Sequence, residues 1–259
     1  MPRVARRLSS SGIYHVMVRG INKQDIFLEY QDYRQYLTVM RRIKERSNCI
    51  VHCYCLMPNH VHLLLQIDGE DIGLVMKRIG SSYVRWYNNK YQRVGHLFQD
   101  RFLSKTVEED SYFIKVLQYI HQNPVEGSLA PSCATYLWSS YNDYVTPKTA
   151  VFSGLVSTAR ALEMFDGLAD FVKFNNEVNK EMHQNEYLLP ASDEMIKSVL
   201  ASLLGNRPIE DLLAMNRSER DYIIIKVREE TRATYSRIAN LCGLSLNVVK
   251  KACSMKPKS

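Results

Sequence analysis

The chain has 259 residues, with 34 Lys and Arg against 27 Asp and Glu and a hydrophobic fraction of 46%. That length and composition allow a substantial core, in one large domain or two modest ones, and exclude a disordered or fibrous chain. No apolar run approaches the roughly 18 residues a membrane span needs, so no membrane partner is expected.

Charge is uneven along the chain. Residues 1–46 carry 10 Lys and Arg against 4 Asp and Glu, residues 190–259 carry 12 against 8, and the middle is net negative. Positive ends point to a polyanion, most simply nucleic acid, a sign that an anionic membrane surface would share. Six cysteines without a CxxC pair, and no secretory signal, imply a reduced, cytoplasmic setting. Arg3, Arg6 and Arg7 read as a basic arm lying on phosphates, in preference to an organellar presequence, because a strand begins directly afterwards.

Gly12 to Arg19 alternates β-formers and predicts a strand. Residues 29–47 repeat apolar positions at Tyr33, Tyr36/Leu37, Met40 and Ile43, a helical period. Ile50 to Met57 predicts a strand, Pro58-Asn59 a turn and His60 to Ile67 a second strand, together an antiparallel hairpin. Cys53 and Cys55 alternate with His52. They could join His60 or His62 in a zinc site, but a shared face with Val51 and Met57 marks them as small core residues. Asp71 caps a helix with a stripe of Val75, Ile79, Ser82/Tyr83 and Trp86. Leu97 to Val107 alternates as a strand. Glu109-Asp110-Ser111 opens a helix that Pro124 should end.

The order β-α-β-β-α-β plus one helix predicts an α+β fold: a ferredoxin-like antiparallel sheet with helices on one face, leaving the other face for a site. Signals weaken from Gly127 to about Pro190, with an aromatic patch at Tyr136–Tyr141 and helical stretches near 155–180. The last portion, from Thr234 to Lys251, predicts a helix, a turn at Gly243 and a second helix capped by Ser245. Its core would be Ile238, Ala239, Leu244, Val248 and Val249. That is a helix-turn-helix, in which the second helix enters a major groove. The expected domains are therefore 1–146 (catalytic), 147–189 (helical extension or linker) and 190–259 (all-α, DNA-binding).

Strand alternation puts His60 and His62 on one face, where two imidazoles can grip one divalent metal. Taken alone, a His-x-His is more often structural. Downstream, Tyr119 and Asn123 are four apart and share a helical face. If that face looks at the metal, Asn123 can give a third, oxygen ligand and Tyr119 can aim its phenol at a phosphate. Tyr112 is the rival on the same face. A metal polarises the phosphate, and a tyrosine that attacks it stores the bond as phosphotyrosine for later rejoining. Between these elements, residues 77–105 hold seven basic residues and one acid, interleaved with aromatics. That pattern suits an unpaired strand, with charges on the backbone and rings on bases. Tyr83 and Trp86 are better read as core. His15 and His96 divide evenly between touching DNA and filling a strand end.

Several motifs in order carry a resemblance. They are Tyr14-His15-Val16 with Arg19-Gly20, Met57-Pro58-Asn59-His60-Val61-His62, and Gly95-His96-Leu97-Phe98-Gln99 with Arg101-Phe102. Tyr119-Ile120-His121-Gln122-Asn123-Pro124-Val125 and Trp138-Ser139-Ser140-Tyr141 complete the set. The sequence resembles the single-tyrosine HUH transposases, and more closely their REP-associated tyrosine transposase branch, over about residues 1–145. The resemblance implies a transposase that cuts and rejoins single-stranded DNA beside a hairpin, using Mg²⁺ or Mn²⁺. It implies His60, His62 and Asn123 as ligands and Tyr119 as nucleophile. The tail from 190 resembles the DNA-binding domain of bacterial replication initiators. DNA contacts are expected from Arg3, Arg6, Arg7, Arg19, Lys23, Arg85, Arg93, Arg101, Lys105, Lys250 and Lys251. Relatives with one tyrosine per chain often pair, which makes a homodimer one expectation and a monomer the other. Two other readings stay open: a domesticated regulator that binds DNA without cutting, and a metal hydrolase that activates water.

Overall fold

The computed structural model describes residues 8–177, 193–205, 207–231, 233 and 235–254. The expected basic arm with Arg3, Arg6 and Arg7, and Thr234 at the start of the expected helix-turn-helix, lie outside the described residues. The chain divides into two compact units, residues 1–184 and 185–259.

The first unit is built on a four-stranded antiparallel sheet: β1 (Ile13–Arg19), β2 (Cys49–Met57), β3 (His60–Ile67) and β4 (Leu103–Thr106), in the spatial order β2-β3-β1-β4. That order is the ferredoxin-like one, and the α+β expectation holds. Helix α1 (Tyr30–Lys44) begins at Glu29 with a capping box closed by Asp32. Helix α2 (Ile72–Lys90) begins where expected, with the Asp71 carboxylate accepting from the backbone N–H groups of Gly73 (2.5 Å) and Leu74 (3.2 Å). The apolar stripes of α1 (Tyr36, Leu37, Met40, Ile43) and α2 (Val75, Ile79, Tyr83, Tyr87) are buried. These two helices pack together over the sheet face that carries Val61, Leu63 and Leu65. Complete burial of each such side chain contributes about 1.5–3 kcal/mol. The last stripe position of α2 is Tyr87 and not Trp86, which is half-buried beneath the Lys90 ammonium.

Helix α3 (Asp110–Glu126) lies across the opposite face. Its Phe113 meets His52 edge to face, with ring centroids 5.1 Å apart. Pro124 does not end it. A proline in the last turn forfeits a single N–H bond, and Gly127 N–H to Asn123 C=O (2.8 Å) and Ser128 N–H to Val125 C=O (3.0 Å) finish the turn beyond it. The expected strand from Leu97 to Val107 shrinks to β4. Residues before it form a loop through Gln92 and Gly95 at positive φ, joined to β1 by an isolated bridge from Phe98 to Gly20. Gly20 is required by the tight turn that follows β1, because a Cβ there would sit 2.2 Å from the Gln24 carbonyl oxygen.

The segment with weak signals proves to be structural. Backbone bonds run from Leu56 N–H to Trp138 C=O and from Ser140 N–H to Tyr54 C=O, both 2.9 Å, so the aromatic patch covers the outer edge of β2. Trp138 then stacks on Tyr33 of α1 at 4.5 Å. Beyond α4 (Tyr141–Val145) and α5 (Ala159–Leu162), α6 (Leu168–Asn176) is tied to α3. Gln122 donates to the carbonyls of Asn175 (2.8 Å) and Glu177 (2.6 Å), and His121 bonds the Asn175 side chain (3.0 Å).

The described residues of the second unit form helices: α7 (Asp193–Leu203), α8 (Asp211–Ala214), α9 (Arg217–Thr231), α10 (Tyr235–Leu241) and α11 (Leu246–Ser254). Its core gathers Ile196, Leu200, Leu212, Ile224, Val227, Ile238, Val249 and Ala252. Gly243 at φ +64° makes the turn between α10 and α11, and Ser245 Oγ caps α11 through Val248 N–H at 3.4 Å. Val248, expected inside, is half-buried, and Ala252 takes the inner position. Among the described residues no helix is long and apolar enough to cross a membrane.

Candidate active site

Strand parity assembles the site. Arg19 lies opposite His60, Met17 opposite His62 and His15 opposite Leu64 across the β1–β3 ladder. His15, Arg19, His60 and His62 therefore project from one face. β4 places Lys105 opposite His15, and β2 places Met57 opposite His60 and Cys55 opposite His62. A bulge between Val51 and Cys53 shifts the register. Cys53, Cys55 and Met57 thus share the histidine face while Val51 does not, which corrects the simple alternation expected for β2.

α3 brings Tyr119 and Asn123 onto this face. The Tyr119 ring centroid is 5.5 Å from that of His62 and 5.9 Å from that of His15, and the His60 and His62 rings are 5.0 Å apart. Asn123 Nδ2 donates to the Tyr119 carbonyl at 2.9 Å, and its side-chain amide acts electrostatically on both the His60 ring and the Tyr119 phenol. Two further bonds hold the imidazoles: His60 Nδ1 with Asn59 Oδ1 (2.6 Å) and His62 Nδ1 with His15 Nε2 (3.1 Å). The structure thus brings His60, His62, Tyr119 and Asn123 together. Tyr112, the rival tyrosine, instead lies under the Lys105 ammonium, 4.7 Å from its ring centre.

Burial sets the protonation states. It holds the His60 ring down at about 4, with the nearby Arg19 cation acting the same way, and His15 at about 3, helped by Lys105. His62 is well below the ordinary histidine value for the same reason, with His60 and His15 as neighbours. All three rings are neutral at pH 7 and keep a lone pair, the form that ligates a metal. Burial pushes the Tyr119 phenol up to about 12, opposed by the Asn123 amide. It is a protonated phenol at neutral pH.

Among the described residues no group of three or more His, Cys, Asp or Glu is placed to hold a metal ion. The expected donor set is two neutral imidazoles and one amide oxygen, and its chemistry fits a divalent ion. Imidazole nitrogen suits Mn²⁺ better than Mg²⁺, which prefers oxygen throughout.

Of the other expected DNA contacts, Arg19 is half-buried beside His60, and its Nε has no hydrogen-bond partner among the described residues. Lys23, Arg85 and Arg101 are exposed, while Arg93 leans on Gln24 at 3.3 Å. Lys250 and Lys251 are exposed on α11. Sequence reasoning missed Asn59 as a partner of His60. It left His15 undecided, since nothing local announces which strand pairs with β3.

Residues 9–123 match the family model described as IS200-like transposase. No curated protein matches the chain. Among solved structures the chain is similar to a REP-associated tyrosine transposase bound to a REP hairpin, at 17% identity over 56% of this chain and 86% of that one, with a TM-score of 0.47. It is also similar to a protein from Deinococcus radiodurans R1 described as a candidate transposase, at 17% identity over 47% of this chain and 97% of that one, with a TM-score of 0.34.

Proposed function

Residues 9–123 belong to the IS200-like transposase family, and from that premise we propose that the chain cleaves and rejoins single-stranded DNA through a 5′-phosphotyrosine on Tyr119. The observation that carries the reading is the packing of the Tyr119 ring against His62, with centroids 5.5 Å apart, beside a His60 ring 5.0 Å from that of His62. The nucleophile and the donor pair are thereby held in one constellation across sheet and helix.

His60, His62 and Asn123 would hold Mg²⁺ or Mn²⁺, which when bound supplies Lewis-acid polarisation of the scissile phosphate. The chain's own part is positioning. Tyr119 Oη attacks phosphorus and the Oη–P bond forms as the P–O3′ bond breaks. The phenol gives up its proton, and the departing 3′ oxygen takes one up to become a hydroxyl. Attack by a later 3′-hydroxyl reverses both changes, so bond energy is retained. Asn123, whose amide acts electrostatically on the phenol, favours the phenolate that develops during attack, against the burial that opposes it. Arg19, cationic and beside His60, is suited to the phosphate's negative charge. In the second unit, α10 and α11 form a helix-turn-helix that adds DNA affinity through Lys250 and Lys251. The basic arm, Lys23, Arg85, Arg93, Arg101 and Lys105 follow the strand backbone, and the hairpin preference rests on the sequence resemblance.

The test is cleavage of an end-labelled hairpin oligonucleotide with Mn²⁺, read on denaturing gels. A covalent protein–DNA species is expected from the wild type and none from Tyr119→Phe. An adduct that survives Tyr119→Phe assigns the chemistry elsewhere, first to Tyr112. Free 5′-phosphate without adduct indicates water as nucleophile, and binding without nicking indicates a domesticated regulator.

A further inference from the structure

A histidine can ligate a metal only through a nitrogen that carries no proton, so each ligand needs its other nitrogen committed. The structure shows how this is done for His60. Asn59 Nδ2 donates to the Lys23 carbonyl at 3.3 Å, where Asn22 and Lys23 adopt positive φ and turn that carbonyl toward the hairpin. This fixes the Asn59 oxygen toward the ring, 2.6 Å from His60 Nδ1. An oxygen can only accept, so the His60 proton sits on Nδ1 and Nε2 keeps its lone pair.

His62 is bonded through the same atom, Nδ1, to His15 Nε2 at 3.1 Å, a pair in which either ring can be the donor. Both rings are buried, with 1% and 2% of their surface exposed, so no solvent can substitute for either partner. We propose that His15 is the positioning residue of the site, accepting the Nδ1 proton of His62 and so presenting Nε2 of both imidazoles to one divalent cation. The inference rests on the metal reading of His60 and His62 given above. His15 touches neither cation nor DNA in this role. Its ring also packs edge-on against Tyr119, with centroids 5.9 Å apart, so one side chain orients a ligand and buttresses the nucleophile. The opposite arrangement, with the proton on His15 Nε2, would leave Nε2 of His62 protonated and unable to bind.

Two readouts test this. Long-range ¹H–¹⁵N spectra of the metal-free protein should show His62 with its proton on Nδ1. Mn²⁺ binding, followed by electron paramagnetic resonance, should weaken ten-fold or more in His15→Phe, which keeps ring volume but cannot accept. His15→Gln, which restores an acceptor, should stay within about three-fold of the wild type. A His62 proton on Nε2, or unchanged Mn²⁺ affinity in folded His15→Phe, would overturn the proposal. If His15→Phe fails to fold, His15→Gln binding as weakly as His62→Gln would also overturn it. A wild type that binds no Mn²⁺ refutes the metal reading instead, and the proton position on His62 then decides His15's role by itself.

Discussion

Burying neutral histidines makes the first unit acid-labile, by an amount the structure sets. His15, His62 and His121 are 2%, 1% and 0% exposed, and burial lowers all three from 6.5, to about 3 for His15, to about 4 for His121 and further for His62. A lowered folded value means that the unfolded chain binds more protons. Stability is therefore complete above pH 6.5 and is lost as pH falls toward 4. At pH 5 each unfolded imidazole gains about 2 kcal/mol by protonation, so three rings together remove about 6 kcal/mol. That is comparable to the whole stability of an ordinary domain. Both tryptophans, Trp86 and Trp138, lie in the first unit, so tryptophan fluorescence, excited where tyrosine does not absorb, reports its unfolding alone. Urea titrations in chelator between pH 7.5 and 5 should give a slope of at least two protons bound on unfolding. An uptake below one proton would refute the argument, since it would mean that the buried rings protonate in place.

Three further outcomes follow from single contacts. The buried Asp32 carboxylate accepts from Lys90 Nζ (2.5 Å), Tyr91 OH (2.8 Å) and the N–H groups of Leu28 (2.7 Å) and Glu29 (3.0 Å). Burial alone would raise it, but these bonds outweigh burial and hold it below the ordinary value. Asp32→Asn should cost about 2 kcal/mol in urea unfolding. The cost of Asp32→Asn should shrink as pH falls toward about 4, where Asp32 of the unfolded wild type begins to take up a proton. Asn175→Ala, which strands the His121 Nδ1 proton in the core, should destabilise the first unit by about 1–3 kcal/mol in thermal unfolding. Lys250→Ala should weaken DNA binding across sequences and reduce the slope of log affinity against log salt by about 1, measured by fluorescence anisotropy.

The sheet was legible because β3 alternates cleanly after a two-residue turn, and α2 because Asp71 is an unambiguous cap. That Tyr119 and Asn123 share one face of α3 was legible for the same kind of reason, a helical spacing of four. Pairing between strands distant in sequence leaves no local mark. So the contribution of His15, 47 residues from its partner, could not be read from period or composition. The bulge at β2 was hidden too, because one extra residue in a strand looks like ordinary alternation until the ladder is seen. Pro124 misled by a general rule whose penalty nearly vanishes in a last turn. The stretch after Gly127 was opaque because its order comes from docking: Trp138 on Tyr33, and Asn175 on His121.

The constellation draws on β1, β3 and α3, so its members come from residues 15 to 123 of the chain. No fragment owns it. A polypeptide that stops before α3 carries both imidazoles of the hairpin and no phenol, and one that has not yet paired β1 with β3 lacks the brace on His62. On the proposed mechanism, strand cutting therefore needs the finished fold, and a chain lacking either the phenol or the braced imidazole would not perform it. Mild heating that detaches α3 should silence cleavage before far-ultraviolet circular dichroism records loss of the sheet.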